Sequence, residues 1–325
     1  MERKDMKKRA PNREKKKAKK AIILVVFLAI ILFFVVVMVS NSKKPGPLNL
    51  GKLNPRVPGE AFIRTNEQLT RGMLKNWLPN DLFWPTVLLD NMPNFQLGEL
   101  EVIRYNVRVL RDNLSRMRTT DKLDPFAEAA FTSLSNDPLK WWFPSYESKL
   151  KETVNNLEAF SRNLVTGKSF FYSRADNLAE LLRQYASLMG GVNTRLINAP
   201  RDLDNAVDVE GPEKGGVKKP AKLVNINIPW YKIDDNFYYA QGVAYALGES
   251  FKAIRVDFLG VLKDKNSVKL LDKILESLNR CNFDPLIVFN GDPGSIFANH
   301  SLNLSGVFND ARQKINSLIV SLMQG

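Results

Sequence analysis

The sequence predicts a mainly α-helical protein: one transmembrane helix, then an extracytoplasmic helical bundle domain carrying at most a minor short β-hairpin or strand pair. Three observations predict this. Ala21 to Val39 is a run of nineteen residues without a charge, a proline or a glycine. Beyond residue 60, apolar side chains recur at steps of three and four, the period of a helix with one buried face. Between these stripes stand Pro, Gly, Asn and Asp, which stop helices and turn the chain.

Residues 1–20 form a basic head with eleven Lys and Arg against three acids. Residues 21–40 follow as the transmembrane helix. At about 1.5 Å per residue the nineteen-residue run spans roughly 28 Å, close to a hydrocarbon core of about 30 Å, where only a helix or a closed barrel satisfies its own backbone. A secretory signal is the competing reading, but its apolar region has about 7–15 residues and a shorter basic lead. Residues 41–60 carry only four Lys and Arg. The charge bias therefore keeps the head cytoplasmic and puts the body outside the cytoplasm. Pro45, Gly46, Pro47, Gly51, Pro55, Pro58 and Gly59 make 41–60 a short stalk.

Residues 61–199 are the first half of the bundle. Thr65 and Gln68 form a capping-box pattern ahead of Leu69, Met73, Leu74 and Trp77. Pro85 can open a second, short helix. Leu97, Leu100, Ile103, Val107, Leu110 and Leu114 form a narrow seam like those of bundles and coiled coils. A helix after Pro125 stops before Pro138, and Trp141-Trp142-Phe143-Pro144 reads as a rigid aromatic connector plugging the core. Ser145 caps the next helix, and Gly167 ends it. Ser173 with Asp176 suggests a second capping box, opening a helix that runs to Gly190-Gly191.

Residues 200–222 break the pattern with six Pro and Gly and ten charges, and read as a mobile loop. Residues 223–325 are the second half of the bundle. Val224, Ile226 and Ile228 alternate with Asn, so a short strand can form at 224–228, with 285–289 as the candidate partner. Stripes from Val243 to Val261, Val268 to Leu278 and Leu304 to Leu322 complete the helices, which should pack antiparallel.

The formal net charge of +13 sits mostly in the head and in Lys43 and Lys44, leaving the body nearly balanced. The head has no aromatic residue to stack on a base and abuts the apolar run. Anionic lipid headgroups are thus its expected partner, rather than nucleic acid. Cys281 is the only cysteine and His300 the only histidine, which excludes an intrachain disulfide and His/Cys metal sites within one chain. A Ser-His-Asp arrangement would have to use His300. No cofactor is expected: Gly167-Lys168-Ser169 ends like a phosphate-binding loop, but Arg162 stands where that motif needs glycine.

Carboxylates remain as possible catalysts, and Asp90, Asp112, Asp121, Asp124 and Asp176 lie among polar clusters. Capping suits Asp124 and Asp176 equally well. Arg104, Arg108, Arg111 and Arg118 follow the spacing of the apolar seam one residue out of phase, a cationic stripe that could grip an anionic partner or pair within the chain. Tyr238 and Tyr239, with Tyr231, Phe237, Tyr245 and nearby Trp230, form the most aromatic patch. Core filling is its default role, and a groove for a partner the alternative. Arg104, Arg108, Arg111, Arg118, Tyr238 and Tyr239 are the candidate interaction surface.

Several runs resemble a family of uncharacterised bacterial proteins classed as a domain of unknown function. They are Trp77-Leu78-Pro79-Asn80-Asp81, Leu89-Asp90-Asn91 with Pro93-Asn94-Phe95-Gln96-Leu97-Gly98, and Arg111-Asp112 through Leu114-Ser115-Arg116 to Arg118-Thr119-Thr120-Asp121. Pro144-Ser145-Tyr146-Glu147 and Arg174-Ala175-Asp176-Asn177-Leu178 extend the resemblance over most of residues 20–325. It implies a bacterial inner-membrane protein with a periplasmic domain, and no catalytic residue can be carried over from it. The expected function is interaction: a scaffold or accessory of the cell envelope whose partners are the bilayer and an envelope protein or wall polymer. Two other classes stay open. An envelope enzyme acting on a wall or sugar polymer through Asp or Glu acid-base chemistry would need a concave site with two inward carboxylates of strained ionisation. An extracytoplasmic ligand sensor would have only the short head as its output.

Overall fold

The computed structural model describes residues 2–49, 55–82, 85–118, 120–198, 204–206, 223–225, 232–285, 288–290 and 298–324, with side chains from residue 18 onward outside 198–231. The elements in order are α1 (Glu2–Asn41), α2 (Glu60–Lys75), α3 (Asn91–Val109), α4 (Pro125–Leu134), α5 (Tyr146–Val165), α6 (Ala175–Asn198), β1 (Asp204–Ala206), β2 (Leu223–Asn225), α7 (Ile233–Asp257), α8 (Leu259–Asp264), α9 (Val268–Arg280) and α10 (His300–Met323). A 3-10 turn at Thr86–Leu88 precedes α3, and a π turn at Leu110–Leu114 extends it.

The chain divides into two units. The first is Met1–Lys44 with Leu82–Leu89. Within it, Ala18–Asn41 is long and apolar enough to cross a membrane, a test that a signal sequence also passes. Its side chains are exposed, Leu32 by 63% and Ile23 by 67%, so this stretch requires an apolar surrounding that the unit itself does not provide.

The second unit, Pro45–Asp81 with Asp90–Gly325, is a helical bundle. Its axis is the pair α3 and α7; α2 packs on α5 and α7, α4 on α5, α6 on α10, and α10 on α9. Helices from both sides of 200–222 share one core, with Phe62, Ile103, Leu157, Phe251, Phe308 and Ile315 all fully buried. The predicted stripes are the buried ones: Leu100, Ile103, Val107, Leu110 and Leu114 in one, and Leu304, Phe308, Ala311, Ile315, Leu318 and Leu322 in another. Ser145 caps α5 by accepting from the Ser148 N–H, and Gly167 turns out of it at φ +73°.

Four local expectations are corrected. The first helix begins at Glu60 and not at Thr65, because Gly59 takes φ +91° and a carboxylate from α7 accepts from N–H groups of the first turn. Ser173 does not cap α6: its buried hydroxyl has no hydrogen-bond partner among the described residues, and Asp176 pairs with Arg174 at 3.0 Å. The aromatic connector does not plug the core. Trp77 and Tyr146 fill that position with rings 5.2 Å apart, while Trp141, Trp142 and Phe143 face outward. Finally, among the described residues β2 pairs antiparallel with β1, Val224 opposite Asn205, while 226–228 and part of its candidate partner 285–289 lie outside the described residues. Of the predicted loop 200–222, all but Asp204–Ala206 lies outside the described residues, as do Trp230 and Tyr231.

Candidate functional site

The arginine stripe is largely engaged within the chain. Arg104 donates to the Leu134 carbonyl (2.8 Å) and the Asn136 carbonyl (2.8 Å), closing the C-terminal end of α4. Arg108 donates to the Gln184 side-chain oxygen and stacks on Tyr105. Arg111 pairs with Asp112 at 2.7 Å, approaches Glu128 at 3.5 Å and lies 3.9 Å from the centre of the Phe131 ring. Arg118 is exposed; its backbone N–H donates to Asp121. Of the aromatic patch, Tyr239 carries the Arg195 guanidinium over its ring at 4.5 Å, and Tyr238 stands edge-on to Phe237. Both tyrosines are half-buried.

The five aspartates serve the backbone or arginines. Asp90 accepts from the Asn91 N–H at the start of α3, and Asp124 accepts from the Phe126 and Ala127 N–H groups at the start of α4 and from the Ser169 hydroxyl. Asp121 holds the Arg118 N–H, Asp112 pairs with Arg111, and Asp176 pairs with Arg174. Asp90, Asp124 and Asp176 stand at the starts of three different helices, Asp112 in the π turn and Asp121 in the loop before α4.

Sequence reasoning missed the carboxylates that are buried. Where α3 crosses α7, a Cβ on Gly98 would strike the Tyr239 carbonyl oxygen and one on Gly242 the Phe95 carbonyl oxygen. Only glycine permits that approach. One residue along α3, Glu99 is buried, and burial followed by repulsion from Glu249 pushes its carboxyl up to about 8. Glu249 is buried too: one oxygen pairs with Lys252 at 2.7 Å, and the other finds no hydrogen-bond partner among the described residues. Tyr245 completes the group. Its ring lies 5.7 Å from Phe95, and its hydroxyl donates to the Gly46 carbonyl at 3.0 Å. Burial, then the Glu99 and Glu249 carboxylates, raise its ionisation well above the usual phenol range.

Glu99, at about 8, is the one carboxyl of strained ionisation here, the kind an acid-base enzyme would need, and it holds a proton at neutral pH. Both carboxyls are nonetheless enclosed, with Glu99 4% and Glu249 3% exposed. Two cavities lie elsewhere, one against Trp141–Ser145 and one between α2 and α5 lined by Arg56, Glu60, Arg64 and Glu158. Among the described residues, no three His, Cys, Asp or Glu side chains could together hold a metal ion.

Two further polar groups organise the core. Asn106 donates to Asn66 (2.8 Å) and Ser250 (2.9 Å) and accepts from the Tyr185 hydroxyl, joining α2, α3, α6 and α7 in one buried network. Asp257 at the end of α7 accepts from the Phe62 N–H at 2.6 Å and from Gly59 and Ala61, so it caps α2 from another helix. Its burial pushes the carboxyl up to about 6 in spite of those bonds. A sequence signal for these residues existed: Phe95, Glu99, Val102 and Asn106 keep helical spacing, as a second face of α3 beside the apolar seam.

Among the described residues of the body, the most exposed large apolar side chain is Phe143 in the α4–α5 loop, at 85%, with Trp142 beside it at 61%. A family model described as an uncharacterized protein conserved in bacteria (DUF2333) matches residues 14–325. No curated protein and no solved structure matches the chain.

Proposed function

The chain belongs to the DUF2333 family of bacterial proteins, and from that premise we propose that it is a single-pass protein of the bacterial inner membrane whose helical periplasmic domain works by interaction within the cell envelope. The observation that carries this reading is the pairing of Ala18–Asn41, apolar and exposed, with a body in which Arg104, Asn106 and Asp124 are engaged in holding helices together. The basic head before that stretch supports a cytoplasmic N-terminus. The enclosure of Glu99 and Glu249 favours interaction over catalysis, because no substrate reaches a carboxyl that is shut off from the surface.

Two measurements test the proposal. Membranes washed with alkaline carbonate should keep the full chain at its uncleaved length; release into the supernatant, or a shortened chain beginning after Ser40, would refute the anchor. Photo-crosslinking in intact cells, from probes placed on the body, should trap the same envelope protein or wall fragment repeatedly. Undiminished cellular function in a strain lacking all trapped partners would refute interaction as the role.

A further inference from the structure

The body presents an aromatic ladder that nothing within the body covers. Trp141 and Trp142 stand edge-on with ring centres 4.9 Å apart, and Trp142 and Phe143 follow at 5.8 Å. Leu139, Trp141, Trp142 and Phe143 are 55%, 49%, 61% and 85% exposed. The loop that bears them is held firmly. The Tyr146 N–H donates to the Lys140 carbonyl at 2.8 Å, the Asn80 side-chain amide donates to the same carbonyl at 3.1 Å, and the Trp77 indole donates to the Pro138 carbonyl at 3.2 Å. A fixed backbone thus keeps three rings in water, at the cost of hydrating their apolar faces.

The covalent chain identifies what lies within reach of these rings. The body is joined to the unit containing the apolar helix at three places: before Pro45, after Asp81 and before Asp90. Within the body, contacts lead from each of these chain positions to the aromatic loop or to the residues that hold it. Asn80, beside the second joint, bonds the loop directly. Asp90, at the third, caps α3, whose Gln96 holds the Leu78 N–H at 2.9 Å and donates to the Asn76 carbonyl, on either side of Trp77. Past the first joint, Gly46 is bonded to Tyr245, which packs on Phe95, the neighbour of Gln96. From Asn41 at the end of α1 to Gly46 is five residues, a reach of at most about 17 Å when fully extended.

We propose that the Trp141–Phe143 ladder seats in the interfacial layer of the bilayer to which the chain is anchored. Tryptophan suits that layer because its ring is apolar and its N–H remains wettable, and Lys140 beside it faces anionic headgroups. Tethering replaces a bimolecular encounter with an intramolecular one, so a three-ring contact suffices where a free domain would not stay bound. The inference rests on the anchored reading given above.

The test uses the full chain carrying Phe143→Cys, spin-labelled and reconstituted into vesicles of phosphatidylethanolamine and phosphatidylglycerol. Cys281 is buried, so the label goes to position 143. Electron paramagnetic resonance then compares relaxation by oxygen, which concentrates in the bilayer, with relaxation by a water-soluble nickel chelate. The expected result is relaxation dominated by oxygen at position 143 and by nickel at an exposed Lys168→Cys control beyond the far end of α5, with position 143 reverting to nickel when Trp141→Ser and Trp142→Ser are added. Nickel dominance at 143 in chains that survive a carbonate wash would overturn the inference and leave the anchor standing. Shielding from both reagents would also overturn it, showing a protein surface or a second copy over the ladder. Loss of the chain from the vesicles would refute the anchored reading instead.

Discussion

Glu99→Gln should stabilise the protein at neutral pH and leave it unchanged in acid. Free glutamate ionises near 4.5, whereas burial and Glu249 push Glu99 up to about 8 in the folded chain. Between those values the unfolded chain has released a proton that the folded chain still holds. Raising the pH therefore favours unfolding, and the stability present below the unfolded pKa is lost as pH climbs towards the folded one. The slope is about 1.4 kcal/mol per pH unit for one group, which accumulates to about 3 kcal/mol by pH 7. Glutamine keeps the shape and has no proton to lose, so its curve lacks this slope. The assay is urea unfolding of the detergent-solubilised full chain, followed by tryptophan fluorescence at half-unit steps from pH 4 to 9. The gap between variant and parent should be near zero at pH 4.5, widen steadily, and level off above pH 8. Parallel curves across that range would refute the assignment of Glu99 as the buried protonated carboxyl.

Other consequences follow from the same packing. Gly98→Ala and Gly242→Ala each drive a methyl into a backbone oxygen of the facing helix, and each should lower stability by about 3 kcal/mol or more, read as a fall in melting temperature. Asn106→Leu strands the Asn66, Ser250 and Tyr185 polar groups together; an expected loss of about 2–4 kcal/mol follows from leaving several buried partners unmet. Asp257→Ala should speed hydrogen exchange at the Phe62 amide and weaken α2 by about 1–2 kcal/mol, the usual range for a lost cap, with exchange in α5 changing less than in α2. Arg104→Glu should fray the end of α4 through its two lost carbonyl contacts, visible as faster exchange at Leu134 and its neighbours.

Much of the fold is legible in the sequence because helical burial is periodic. The seam from Leu100 to Leu114 and the stripe from Leu304 to Leu322 are buried as their spacing requires. Pro125 and Ser145 mark real helix starts. Helix starts set by distant residues are not legible: α2 begins at Glu60 because Asp257, nearly two hundred positions later, meets its N–H groups. The aromatic connector misled for a related reason. Trp77 and Tyr146 had already filled the space that Trp141 and Trp142 would otherwise occupy, a competition that only packing decides. Of the candidate site, the sequence showed charge but not its use. Exposed and buried carboxylates look alike in a string of letters, so Asp112 and Asp176 drew attention while Glu99 and Glu249 did not. What separates them is the Gly98–Gly242 crossing, which closes α3 on α7 and removes the water.

Labelling from outside the cell tests the central claim most directly. In the full chain, Lys8→Cys and Lys168→Cys are made separately and exposed to a membrane-impermeant maleimide in cells with a permeabilised outer membrane, Cys281 being buried. The expected result is that Cys at 168 labels in intact cells and Cys at 8 labels only after lysis, both in chains that stay with carbonate-washed membranes. Labelling of 8 but not 168 in intact cells, or recovery of the labelled chain in the soluble fraction, would contradict it.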